Sequence, residues 1–95
     1  MKAIINGVQV CISKHRYQRN DRIALVAELE DEPFAILTVN LPDEYMEENE
    51  AAIDVNNLGD GIVSQLVSQS IIEAPMADKW VRSGYVEYPI CKVLI

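Results

Sequence analysis

His15, the only histidine in the 95-residue chain, stands two residues from Ser13. A histidine can activate a serine hydroxyl, but that chemistry needs a carboxylate behind the imidazole and a hydrogen bond in front of it. No serine-and-carboxylate pattern surrounds His15, and a separation of two on a strand or loop implies no hydrogen bond. His15 therefore reads as an exposed loop histidine. The run Asp54-Val55-Asn56-Asn57-Leu58-Gly59-Asp60-Gly61 has the outline of a calcium loop. A helix–loop–helix calcium site wants an oxygen ligand at its fifth position and glutamate at its twelfth. Leu58 and Gln65 occupy those positions, so the match fails. Glu47-Glu48 offers paired carboxylates for acid–base work, yet no aromatic platform or partnered pocket accompanies them. Cys11 and Cys91 are eighty residues apart in strand-like surroundings, with no CxxC or Cys/His cluster. A disulfide between them requires adjacent strands, and two buried, reduced thiols are the expectation. No glycine-rich phosphate loop is present. The chain reads as a non-enzyme with no cofactor and no metal.

The charge pattern says more. Between Arg22 and Lys79 lie thirteen acidic residues and no lysine or arginine: Glu28, Glu30, Asp31, Glu32, Asp43, Glu44, Glu47, Glu48, Glu50, Asp54, Asp60, Glu73 and Asp78. Four of the eight basic residues, Lys14, Arg16, Arg19 and Arg22, crowd into the segment just before. A net charge of −7 repels duplex nucleic acid and favours a basic protein partner. Evenly spaced carboxylates can fill a groove built for phosphates, because arginine forks and lysines match both anions. Glu28, Glu30, Asp31, Glu32, Asp43, Glu44, Glu47, Glu48 and Glu50 are the candidate protein-binding set.

One α+β domain over residues 1–95 would have to position these groups. Asn6-Gly7 between two apolar runs marks a tight hairpin. Val8, Val10 and Ile12 should share one face of the second strand, with Ser13 to Asp21 as a loop. Ile23 to Glu30 alternates cleanly, with Ile23, Leu25, Ala27 and Leu29 facing the core. After Asp31-Glu32-Pro33, the run Phe34 to Leu41 reads as one strand with Ala35, Leu37, Val39 and Leu41 inward. Val26, Phe34 and Ile36 leave the other face partly apolar, which implies a cover and favours a homodimer. Ala51 to Val55 reads as a short strand and Asn57 as a helix N-cap, with Asp60 in the first turn. One helix is expected, its apolar stripe made by Leu58, Ile62, Val63, Leu66, Val67 and Ile71. Its outward face (Ser64, Gln65, Ser68, Gln69, Ser70) is polar but uncharged, as suits a contact surface or a plain solvated face. Ala74-Pro75 should stop the helix. Met76 to Arg82, with the single tryptophan Trp80, reads as a loop before a C-terminal strand, Tyr85 to Leu94. Pro89 inside that strand argues for an edge or a bulge. The expected fold is a mainly antiparallel sheet of hairpins with one helix packed on one face.

Several segments resemble a family of small proteins carried by phages and conjugative elements of gut bacteria and grouped as a domain of unknown function. They are Glu32-Pro33-Phe34-Ala35-Ile36-Leu37-Thr38-Val39-Asn40-Leu41-Pro42, Asp54-Val55-Asn56-Asn57, Gly61-Ile62 and Ser83-Gly84-Tyr85-Val86-Glu87-Tyr88-Pro89. Together they span roughly residues 20 to 90. After Pro75 the chain departs from the pattern, with Met76-Ala77 where the family has a Thr-Gly turn. These are strand, cap and turn residues, so the resemblance implies a fold and a mobile-element setting but no catalytic motif.

The start of the chain has a three-residue apolar run before Asn6, and no stretch approaches the ~18–20 residues of a membrane span. A cytoplasmic protein that binds no membrane and no nucleic acid directly is expected. Two functions suit the pattern. The first is inhibition of a basic host protein, one for defence or DNA processing, by a nucleic-acid-like acidic surface. The alternative is an accessory or assembly protein of the mobile element, whose acidity only solubilises it.

Overall fold

β1 (Lys2–Ile5) and β2 (Val8–Arg16) form a hairpin closed by Asn6 and Gly7, whose φ angles of 50° and 82° suit the favoured two-residue turn. In this computed structural model, which describes residues 1–95, β2 does not stop at Ile12. Its antiparallel pairing with β3 (Ile23–Glu28) runs from Cys11↔Glu28 to Arg16↔Ile23. The apolar alternation ends at Ile12, but the backbone ladder does not, so Lys14 and His15 lie on a strand rather than a loop. β4 (Pro33–Ile36) completes a sheet of order β1-β2-β3-β4. Pro33, expected in the preceding loop, opens β4 opposite Glu28, beside a bulge at Ala27/Glu28.

The run Phe34 to Leu41 is not one strand. It breaks at Leu37, and Thr38–Val39 (β5) joins a second antiparallel sheet with β6 (Glu50–Ile53), β8 (Val86–Lys92) and β7 (Trp80–Ser83), in the order β5-β6-β8-β7. Leu37 N–H donates to the Leu25 carbonyl of β3 at 2.8 Å, and its own carbonyl accepts from Asp54 N–H just after β6 at 3.0 Å. Thr38 turns its hydroxyl back to the first sheet, accepting from Leu25 N–H at 3.3 Å and meeting Tyr17 Oη at 3.0 Å. The expected single core face divides accordingly. Ala35 and Leu37 pack in the main core between the sheets, with Ile12, Leu25, Ile53 and Leu66. Val39 and Leu41 pack instead on the outer face of the second sheet, against Ala52 and Ile90. Phe34 also packs against the main core, so of the three apolar residues expected on the outer face only Val26 and the exposed Ile36 remain there.

The expected helix is two helices. Asp54, not Asn57, caps α1 (Val55–Leu58): its carboxylate accepts from Asn57 N–H at 3.1 Å and from the Asn57 side-chain amide at 2.7 Å. Gly59 then takes φ 91°, outside the helical region, and α2 (Ile62–Ser68) starts afresh behind Gly61 with no side-chain cap. Asp60 stands exposed in the turn between them. α2 buries Ile62 and Leu66, and ends before Pro75 because Ser70 adopts φ 60°. Ile71 and Ile72 reach the core from extended backbone, with Leu94 N–H donating to the Ile71 carbonyl and Ile72 bridged to Val93.

Trp80 begins a strand, and β8 lies between β6 and β7, so Pro89 is not on an edge strand. The β6 ladder reaches only Ile90, one residue short of Pro89, so the missing N–H interrupts no hydrogen bond there.

Leu37→Ala should lower unfolding stability by ~2–5 kcal/mol, because the fully buried side chain leaves a cavity where the two sheets meet. Glu48→Ala, on the exposed loop, should change it by less than ~0.5 kcal/mol. Urea denaturation of the two variants checks the pair, and equal losses would mean that the core is misplaced.

Candidate protein-binding surface

β3 separates the acidic candidates into two groups. At its C-terminal end, Glu28 and the exposed Glu30, Asp31 and Glu32 form the tip of the β3–β4 hairpin, closed by Leu29 N–H donating to the Glu32 carbonyl at 2.8 Å. At its N-terminal end, Arg22 holds the loop of residues 42–49 by donating from Nη1 to the Leu41 carbonyl and from Nη2 to that of Glu44. Six residues at the usual strand rise put the two groups about 17 Å apart or more. They form two patches rather than one band.

Arg16 acts similarly on the loop, donating to the main-chain oxygens of Asp21 at 3.1 Å and Glu48 at 3.4 Å. Both arginines thus bind carbonyls and leave the carboxylates of Asp43, Glu47 and Glu48 exposed to solvent, with Glu44 half-buried. Leu41 and Met46 pin the loop from below, packing over Ala52, Ile90 and Tyr88.

Glu50 belongs to a different category from the rest of its set. It is buried, with 9% of its surface exposed, and forms an ion pair with Lys79 at 3.3 Å. Its other oxygen accepts from Glu47 N–H at 2.9 Å. Glu50 is the internal anchor of the acidic loop, not a contact residue. Its hydrogen bond, and then its charge, raise the Lys79 ammonium above the ordinary lysine range. Behind it the Cys91 thiol is pushed up to about 12, by burial first and the Glu50 charge second.

Cys11 is exposed, against expectation, because Val10 and Ile12 claim the inward positions of β2. It sits between Lys2 and Glu28 in cross-strand register, in an open groove of about 710 Å³ that also takes in Ser13 and Glu30. Ser13 Oγ lies 2.9 Å from His15 Nε2, although a separation of two implied no contact. Residues i and i+2 of a strand share a face, and β2 extends far enough to include both. No carboxylate orients the imidazole in this pair, so it lacks the third member that triad chemistry uses. No group of three or more His, Cys, Asp or Glu side chains is placed to hold a metal ion.

The uncharged helix face is largely occupied. Gln69 accepts from Ile4 N–H and donates to the Ile4 carbonyl, both at 2.8 Å. Gln65 accepts from Asn6 N–H at 2.6 Å and donates to the Asn6 side chain at 2.8 Å. The two amides cover the edge at Ile4 and at the first turn residue beyond β1, where it would otherwise be an open template for another strand. Only Ser64, Ser68 and Ser70 of that face remain exposed.

Residues 10–94 match the family described as Domain of unknown function (DUF4313). The chain belongs to that family. The match takes in most of β2, a longer reach than the resemblance from residue 20 implied. No curated protein and no solved structure matches the chain. Within this DUF4313 chain, no helix is long and apolar enough to cross a membrane. The roles of Arg16 and Arg22 were missed at the level of sequence. The available signal was their crowding directly before the acidic stretch, which charge counting read as segregation rather than as a clamp.

A thiol reagent such as Ellman's should label Cys11 in the native chain within seconds and Cys91 only after unfolding. Rapid labelling of both would contradict the burial of Cys91. Cys91 and Lys79 both hold protons more tightly when folded, so their contribution is present below the unfolded pKa values. It is lost as pH rises, for Cys91 between its ordinary 9.0 and about 12. Urea midpoints should therefore fall above pH 9, and less steeply in Cys91→Ala. At the other end of the fold, Gln69→Leu leaves the exposed Ile4 N–H and carbonyl to water and should cost about 0.5–1.5 kcal/mol. Amide exchange at Ile4 should accelerate selectively, and unchanged protection there would show that the glutamine does not hold the edge.

Proposed function

We propose that this chain is a small, acidic, non-enzymatic binding protein whose target is a basic protein. In this reading it is carried by a phage or conjugative element and acts in the cytoplasm of the host. There it inhibits a defence or DNA-processing protein by offering carboxylates where that protein expects phosphates. One observation carries the reading. Of the thirteen carboxylates between Arg22 and Lys79, only Glu50 meets a cationic side chain; the chain's other ion pair, Arg82–Glu87 at 3.3 Å, lies outside the segment. The nearby arginines are committed to main-chain carbonyls. The fold therefore fixes the backbone of the acidic loop while leaving its charge unneutralised. Such a surface attracts a cationic partner at long range, and ordinary salt screens that attraction within ~8–10 Å.

The two patches at opposite ends of β3 call for a target with two separated basic surfaces, as a nucleic-acid groove has along its walls. The loop patch (Asp43, Glu47, Glu48) is the better-held one, through Arg22, Arg16 and Glu50. The hairpin tip (Glu30, Asp31, Glu32) has only its own turn. The loop patch is therefore expected to carry more of the affinity, since a pre-ordered contact loses less freedom on binding.

The experiment is affinity capture from host lysate, followed by competition between the captured protein's nucleic acid and this chain at two salt concentrations. Reversal of Asp43, Glu47 and Glu48 to lysine should weaken binding by roughly tenfold or more, mainly through slower association. Reversal of Lys14 and Arg19 to glutamate should leave it unchanged or slightly tighter. Binding that ignores both salt and the triple reversal would remove mimicry and favour the accessory role, with the acidity only solubilising.

A further inference from the structure

Each sheet has two edges, and three of the four are protected. β1 is capped by Gln65 and Gln69, β4 opens on Pro33, which has no N–H to offer, and β5 is two residues long. The fourth edge, β7, has none of these devices. Its register fixes which groups are free. Trp80 stands opposite Pro89, and Ile90 N–H donates to the Lys79 carbonyl at 2.7 Å. That bond makes Trp80 and Pro89 a non-hydrogen-bonded pair, and by alternation Arg82 and Glu87 another. The N–H and C=O groups of Trp80 and Arg82 therefore point away from β8, along the open side.

The side chains along this edge are unusually bare. Met76 is 69% exposed, Trp80 43%, and Tyr85, at the tip of the β7–β8 turn, wholly exposed. Trp80 and Arg82, two residues apart on the strand, lie on the same face.

We propose that β7 is a homodimerisation edge. Two copies pair antiparallel about a two-fold axis at Val81, joining their second sheets into one continuous sheet. In that register Trp80 exchanges both main-chain hydrogen bonds with Arg82 of the second copy, and Arg82 does the same with its Trp80. The two Val81 residues form the central non-hydrogen-bonded pair, with Cα atoms about 4.5 Å apart. Each Arg82 guanidinium, which pairs with Glu87 of its own chain at 3.3 Å, then lies directly across from the other copy's indole, where a cation–π contact forms on the exposed face. Continuing the register places Tyr85 opposite Ala77, beside the exposed Met76 of the second copy. A second copy is the occupant that this edge specifies, because the strand is complementary to itself: it carries both the aromatic ring and the cation at the spacing that a two-fold axis exchanges. The chain's −7 charge opposes association, and at this edge Lys79 and Arg82 are each already paired with a carboxylate of the same chain, Glu50 and Glu87, so they lessen that repulsion locally without reversing it. This interface is separate from the acidic loop, and it replaces the Val26/Ile36 face as the site of self-association.

Light scattering across a dilution series should show a reversible dimer at high micromolar concentration. Trp80→Lys, which sets like charges face to face, should raise the dissociation constant roughly tenfold or more. Arg82→Pro should do the same by removing an outward N–H that the β7–β8 hairpin does not use. Both variants should keep the far-ultraviolet circular dichroism of the parent, which separates lost association from lost folding. In a Cys11→Ser background, Val81→Cys should form a disulfide-linked dimer under mild oxidation, since the central pair has suitable Cα spacing. A parent that stays monomeric at every concentration overturns the proposal. So does a dimer that survives both β7 variants and is dissolved by Ile36→Lys, which would assign the interface to the outer face of the first sheet.

Discussion

The architecture rests on the main chain of one buried residue. Leu37 N–H belongs to the ladder of the first sheet through Leu25, and its carbonyl belongs to the second sheet through Asp54. A buried peptide group left unpaired costs about as much as a lost hydrogen bond or more, so both ends of this residue must be met. They are met only if β3 and the end of β6 lie on either side of it. Leu37 therefore sets the spacing of the sheets, and the side chain it places between them fills the space it defines. Thr38 repeats the arrangement one residue on, its hydroxyl reaching back to Leu25 N–H and to Tyr17. The capped start of α1 follows directly, because Asp54 uses its backbone N–H for Leu37 and its carboxylate for Asn57.

The electrostatic organisation follows a similar logic. A guanidinium has five donors in a fixed fork, and Arg22 spends its fork on two carbonyls of a loop that also carries carboxylates. Loop backbone has no ladder to satisfy it, so the arginine supplies what a neighbouring strand would have. Shape is thus held by cations while the outward charge stays negative. Glu50 completes the arrangement from beneath, where Lys79 and Glu47 N–H neutralise it, and its field adds to the burial that keeps the Cys91 thiol protonated.

Local chemistry was legible and tertiary choice was not. Asn6-Gly7 declared its hairpin, and the alternation from Ile23 to Leu29 declared a half-buried strand with the right face inward. The break at Leu37 carries no glycine, proline or polar residue, because both halves of the run are good strand and only their partners differ. Gly59 did announce the split of the helix, through the positive φ it permits, but the apolar stripe across it argued for continuity. Asp54 rather than Asn57 became the cap because α1 starts three residues earlier than the stripe alone suggests. The glutamines were visible as an uncharged face, yet nothing in their spacing revealed that an edge strand lay opposite. For the candidate site, the acidic residues were visible one by one. Their division into two patches, and the withdrawal of Glu50 from the surface, depended on where β3 and Lys79 came to lie.

The glutamine clasp on β1 has a metric consequence. Gln65 and Gln69 are one helical step of four residues apart, about 6 Å along the axis of α2. Ile4, on β1, and Asn6, the first turn residue beyond it, are two residues apart, up to about 6.8 Å in strand geometry. The two rulers agree to within the reach of a flexible amide for a single interval, and then drift apart by most of an ångström with each further one. A helix can imitate a neighbouring strand for two rungs and no more. Within β1 the clasp meets Ile4 alone, and the next outward peptide groups toward the start of the strand, those of Lys2, already lie beyond the last graduation of the helix.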